Sequence, residues 1–137
     1  DIERKDRRRY RRIALHGPVR CRPADRPGVP WQDMELQDMS LCGAKLLGAN
    51  VFGRKMCPAD EEEQIRRVKL QFRPAAFVQD RDEEKLQRDL NIGGRLVSKE
   101  KAGADTFIYR IDLDDVSREQ KRILSRLLYL VETNDRR

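Results

Sequence analysis

The chain has 137 residues, 38% of them hydrophobic and 39% charged, with a formal net charge of +6. That is enough chain to bury one core without disulfide or metal staples, so one domain is expected. Three cysteines, Cys21, Cys42 and Cys57, are odd in number and show no C-x-x-C spacing, which argues against a disulfide framework or a zinc site and for a reducing, cytoplasmic setting.

No secretory apolar core and no apolar run of about eighteen residues occurs, so no membrane segment is expected. The missing initiator Met suggests a piece of a larger protein. Much of the positive excess lies in the first twelve residues, where seven Lys or Arg meet three acids and "DRRRYRR" occupies 6–12. Such asymmetry favours an anionic partner over a uniformly basic surface. Residues 1–12 therefore read as an Arg-rich arm.

After the arm, "IALHGPVRCR" (13–22) places Ile13, Leu15, Val19 and Cys21 at alternating positions, interrupted by Gly17 and Pro18, as in a strand that bends or bulges. "PADRPGVP" is a turn-rich loop. "WQDMELQDMS" puts Met34 and Leu36 on one face, and "GAKLLGANVF" continues as a further strand after a tight connection at 38–43. "CPADEEEQIRR" is a charged loop. In "RVKLQF" the apolar Val68, Leu70 and Phe72 alternate with Arg67, Lys69 and Gln71, the cleanest strand pattern in the chain.

The stretch 78–90 has only a weak helical cue, Leu86 and Leu90 four apart and Glu84 four before Arg88, and reads equally as a mobile insertion. "NIGGRLVS" and "TFIYRIDL" are two more strands. The Gly93–Gly94 pair marks a bulge or barrel corner, and Phe107, Tyr109, Ile111 and Leu113 share a face. At the C-terminus Ser117 and Gln120 form a capping box, followed by an apolar stripe of Ile123, Leu124, Leu127, Leu128 and Val131. This helix should pack on the sheet or on a partner. The order of elements favours a small antiparallel barrel over 13–116, with 73–91 as a candidate insertion, and a helix with a short tail over 117–137.

Catalysis has little to stand on. His16 is the single histidine, without a second histidine or a nearby cysteine to form a dyad, and the carboxylates cluster in runs such as "DEEE" (60–63) that suit a solvated loop. No P-loop and no G-x-G-x-x-G opening a helix appears. The chain is not expected to be an enzyme, and any phosphate must be met by arginines. Arginine suits that task because its planar fork bonds phosphate bidentately, donates to the O6 and N7 edge of guanine and stacks on a base.

Arg8 and Arg12, four apart and running into the first strand, have the spacing to bracket a ligand carrying phosphates and purines. Arginine pairs recur in a chain with 22 arginines, so the more specific signal is "DMSLCG", with Asp38, Ser40 and Gly43 at D-x-S-x-x-G spacing. A carboxylate accepts from the N1 and N2 donors of guanine, serine donates or accepts at a ligand edge, and glycine admits close backbone approach. The same residues would also build an Asx or Ser turn with glycine at positive φ.

Taken together, "RRYRR" running into "IAL" and then "DMSLCGAKLL" about thirty residues on resemble the PilZ domain, a bacterial receptor module for cyclic di-GMP with the pattern R-x-x-x-R followed by D/N-x-S-x-x-G. The resemblance implies an all-β fold, a six-stranded antiparallel β-barrel with a C-terminal α-helix. It implies Arg8 and Arg12 on phosphates and guanine edges, with Arg7 and Arg11 as the competing register, and Asp38, Ser40 and Gly43 receiving a guanine on the barrel surface. Arg7 occupies the position that in this family helps decide between one ligand and a stacked pair, so an intercalated dimer of cyclic di-GMP is expected. The departures are the long 73–91 segment and the lack of the glycine common before the last strand. The reading that follows is a cyclic di-GMP sensor whose arm closes on the ligand and regulates a fused domain or protein partner. Homodimerisation through the terminal helix is the open assembly question. A PilZ-like adaptor acting through its apolar C-terminal helix, and a basic-arm barrel binding nucleic acid, are the competing readings.

Overall fold

The structure, a computed structural model, describes residues 12–24, 28–49, 67–78 and 83–135. Six strands, β1 (Ile13–Pro23), β2 (Gln32–Met39), β3 (Gly43–Ala49), β4 (Arg67–Phe72), β5 (Leu90–Lys101) and β6 (Thr106–Asp115), close into a barrel in the order β1-β2-β3-β6-β5-β4. Every neighbouring pair is antiparallel. Closure leaves no sheet edge to template aggregation. One helix, α1 (Arg118–Asp135), follows β6.

Period-two patterning builds the core. Val68, Leu70 and Phe72 of β4, Tyr109, Ile111 and Leu113 of β6, and Leu15, Val19 and Cys21 of β1 are all buried. Tyr109 takes its polar tip inside and satisfies it, its hydroxyl donating to the Ala49 carbonyl at 2.8 Å. Burial pushes the Cys21 thiol up to about 12, and burial followed by the nearby Cys21 does the same to the Tyr109 phenol. Both groups are therefore neutral core members. β6 runs regularly through "TFIYRI" and pairs along its length with both β3 and β5, so the missing glycine has no structural cost there.

The irregular positions carry the shape. The register of β1 against β2 shifts between Ala14 and Gly17, where the Gly17–Pro18 pair predicted a bend. A side chain at Gly17 would collide with the Phe77 ring, which itself packs edge-on to Phe72 at 5.8 Å between centroids. β5 shifts against β6 between Gly93 and Arg95, and a Cβ at Gly94 would stand 2.5 Å from the Asp112 carbonyl oxygen. That approach admits only glycine, the corner the Gly pair predicted.

Among its described residues, the segment between β4 and β5 forms two 3-10 turns, Pro74–Phe77 and Glu84–Gln87, and no α-helix. The cue at 78–90 was real in its contacts. Leu86 and Leu90 are both buried, and Arg88 pairs with Glu84 at 3.2 Å, but Leu90 already belongs to β5. Helix α1 begins at the expected capping box. The Ser117 amide donates to Gln120 Oε1 at 2.9 Å and the Gln120 amide to Ser117 Oγ at 3.1 Å. Its stripe of Leu124, Leu127, Leu128 and Val131 is buried, and the helix rests on β1 and the two 3-10 turns. The stripe that sequence reading offered as an adaptor or dimer interface is thus occupied within the chain, and a partner reaching α1 meets its polar face.

Candidate functional site

The site is placed by a one-residue irregularity. Met34 and Leu36 of β2 point inward, and strict alternation would turn Asp38 inward with them. Instead the register of β2 against β3 shifts between Leu36 and Asp38. Met39 becomes the buried residue, with none of its surface exposed, and Asp38 is delivered to the outer face. An Asp in the barrel interior would lack solvation; on the outer face it is available to a ligand.

Arg12, the last residue before β1, meets it there. Arg12 Nη1 donates to Asp38 Oδ1 at 3.1 Å, with 47% of the arginine side chain and 23% of the aspartate side chain exposed. This is a single, partly solvated ion pair, worth less than about 1 kcal/mol.

The β2–β3 connection supplies the rest. The Ser40 amide donates to the Gly43 carbonyl at 2.8 Å, closing the hairpin, and the Leu113 amide donates to the Cys42 carbonyl at 2.8 Å, tying the turn to β6. Ser40 is buried, and its Oγ accepts from the Cys42 amide at 3.2 Å while lying 3.6 Å from Cys42 Sγ. The hydroxyl therefore works inside the turn, as the Ser-turn alternative anticipated.

Gly43 departs from that alternative, because its φ lies outside the left-handed region. Its glycine is explained by what it faces. A Cβ there would lie 3.6 Å from Arg12 Nη2, 3.8 Å from Ser40 Oγ and 3.5 Å from the Ile111 carbonyl oxygen. These are ordinary contacts, so the fold tolerates a methyl, but the methyl would stand between the guanidinium and the turn.

Arg12, 26 residues before Asp38, thus converges with Asp38, Ser40 and Gly43 on one corner of the barrel. Arg7 and Arg8 lie outside the described residues. Lys45, which sequence reading did not select, is the partner of Asp38 in the β2–β3 ladder and lies two residues from Gly43 on the same outward face. Period two counted from Gly43 was the signal that could have found it. Among the described residues no group of three or more His, Cys, Asp or Glu is arranged to hold a metal ion, and no helix is long and apolar enough to cross a membrane.

A six-stranded closed barrel, with R-x-x-x-R in the sequence directly before β1 and D-x-S-x-x-G at the β2–β3 turn, agrees with a family model, the PilZ domain, which matches residues 6–130. The chain belongs to the PilZ domain family. Solved structures share the fold. The Bacillus subtilis inhibitor of motility (MotI/DgrA) superposes with a TM-score of 0.64 at 12% identity, covering 96% of this chain and 54% of that one. The PilZ domain of Escherichia coli YcgR, solved with cyclic di-GMP, gives 0.56 at 21% identity, covering 95% of both chains. The Borreliella burgdorferi PlzA protein, also in complex with cyclic di-GMP, gives 0.56 at 12%, covering 96% of this chain and 55% of that one. At these identities the likeness is one of fold. This PilZ chain spans about half the length of MotI and PlzA. A comparison with curated protein sequences returns no match.

Proposed function

We propose that this PilZ domain is a cyclic di-GMP receptor whose N-terminal arm closes on the ligand and thereby regulates a fused domain or protein partner. The observation that carries the reading is the convergence of Arg12, Asp38 and the side-chain-free backbone of Gly43 on one corner. Family membership supports the ligand class, and YcgR and PlzA have been solved with that ligand.

The exchange at the site is favourable in magnitude. Arg12 and Asp38 hold each other through one weak bond. Cyclic di-GMP offers Arg12 a phosphate or a guanine O6/N7 edge, and offers Asp38 the N1 and N2 donors of guanine. Charge-assisted bonds of this kind are worth about 1.5–3 kcal/mol each against less than about 1 kcal/mol for the exposed pair they replace. Gly43 lets the purine lie against the strand. Arg8 takes the second phosphate contact, and Arg7 stacks on and bonds a second guanine, giving an intercalated ligand pair. Empty, the arginines of the arm repel one another; a dianionic ligand removes that repulsion and favours the closed arm. No step breaks a covalent bond, and the domain acts by binding.

Isothermal titration of cyclic di-GMP into the wild type, Arg8→Ala, Arg12→Ala and Asp38→Ala tests the reading, with a single-stranded oligonucleotide as control. Two ligands per chain are expected, falling to one in Arg7→Ala, with affinity reduced at least tenfold in the other three variants. Unchanged affinity in those three would sink the site assignment. Tight, steeply salt-dependent oligonucleotide binding would favour the nucleic-acid reading instead.

A further inference from the structure

Away from the ligand corner, α1 and the 3-10 turn Glu84–Gln87 enclose a groove of about 470 Å3. Its walls are basic. Arg118 and Arg122, one turn apart on α1, face Lys85 across it, all three exposed and without an ion-pair partner among the described residues. The remaining cation, Arg126, is held by Glu83, its Nε donating to Oε1 at 2.7 Å, and that pair clasps one end of the groove. Glu119 is the other carboxylate in the lining, so three free cations face one acid.

The groove also has an apolar floor, where Ile123 is half-buried and Leu86 lies fully buried beneath the surface. Arg118 adds a further point, because it sits in the first turn of α1, where the helix dipole disfavours a cation by about 0.3–1 kcal/mol. Glu119 in the same turn offsets part of that penalty, and a bound anion would offset more.

We propose that this groove docks an acidic, leucine-bearing peptide segment of a partner protein. The carboxylates of such a segment would pair with Arg118, Arg122 and Lys85 while its apolar side chain rests on the half-buried Ile123. A second copy of this chain is a poorer occupant, because its one run of four acids, residues 60–63, carries no leucine and runs into Arg66 and Arg67. A nucleic-acid strand is a poor one as well. Among the described residues, Tyr129 is the aromatic beside these cations and its ring already takes the Arg126 guanidinium at 5.7 Å, which leaves a single ring rather than a row for bases to stack on. The proposal goes beyond the cyclic di-GMP reading and does not depend on it.

Fluorescence polarisation on the full chain tests it. The probe is a short fluorescein-labelled peptide of glutamates carrying two leucines one helical turn apart. Saturable binding is expected, weakened at least tenfold by the double variant Arg118→Glu/Arg122→Glu and at least threefold when the probe leucines are replaced by serine. Lys101→Glu, an equally exposed charge reversal on β5, should leave binding unchanged. Cyclic di-GMP titration of the double variant should match wild type, which separates this site from the ligand corner. No saturable binding, equal binding of a lysine–leucine peptide, equal loss in Lys101→Glu, or an unaffected double variant would each overturn the proposal. So would oligothymidylate binding that the double variant abolishes.

Discussion

Replacing Gly43 by Ala separates what the ligand corner needs from what the fold needs. The added methyl would meet its nearest described neighbours at 3.5 to 3.8 Å, and the backbone is not in the left-handed region, so neither clash nor strain opposes it. Removing a glycine from the unfolded ensemble then stabilises by about 0.4–1 kcal/mol. At roughly 2.1 cal/mol/K of unfolding entropy per residue, this corresponds to a Tm rise of about 1–4 °C.

The same methyl occupies the approach between Arg12 and the turn, and overpacking a close contact costs about 1–3 kcal/mol, or roughly five- to 150-fold in affinity. Differential scanning fluorimetry without ligand and isothermal titration with cyclic di-GMP read the two effects separately. A Gly43→Ala protein with a Tm at or above wild type and at least fivefold weaker binding is expected. Binding within twofold of wild type would mean that no purine lies against Gly43. A Tm several degrees lower would mean that the geometry of the turn has been misread.

Three further outcomes follow from the same structure. Alkylation at pH 8 followed by peptide mass mapping should modify the exposed Cys42 and spare Cys21, whose pKa of about 12 and complete burial leave on the order of 10⁻⁴ of it as thiolate; saturating cyclic di-GMP should slow Cys42 modification, since that residue forms the turn. Arg67 reaches across β5 to Asp114 through two bonds of 2.7 and 2.8 Å, and the hydrogen bond from Arg67 holds the Asp114 carboxyl below its ordinary range. The depressed pKa makes this contribution present above about pH 4 and lost as pH falls through the folded value, so Asp114→Asn should lower Tm at pH 7 by an amount worth at most about 1 kcal/mol, the pair being half exposed, and the difference should shrink as the carboxyl becomes protonated in acid. Gly17→Ala should destabilise by at least about 1–3 kcal/mol in chemical denaturation because its methyl meets the Phe77 ring; a neutral result would show that the ring is free to move aside.

Much of this fold was legible because local and global signals agree. "RVKLQF" alternates cleanly and is a strand, Ser117 and Gln120 cap the helix they announced, and Gly93–Gly94 marks a corner where backbone touches backbone. The legible part of the ligand corner was its residue types at family spacing. What could not be read was tertiary. Nothing in "QDMELQDM" announces that Gln37 is the extra residue, and apart from Pro74 opening the first of them, nothing local announces that Pro74–Phe77 and Glu84–Gln87 form 3-10 turns, with Phe77 packed on Phe72 and Leu86 buried. The groove beside α1 was invisible for the same reason. Its cations are close in sequence, but the wall they face comes from another element.

The shift between Leu36 and Asp38 makes the receptor depend on counting as well as on chemistry. Deleting Gln37 alone would remove the extra residue, and plain alternation would then run Leu36 inward, the carboxylate outward and Met39 inward. Keeping Gln37 but losing the shift would instead carry the carboxylate into the barrel and Met39 out, with D-x-S-x-x-G intact and still scored by a sequence search. Among homologues, a strand that is either one residue shorter or irregular just before the motif aspartate is therefore as diagnostic of a working ligand corner as the motif itself.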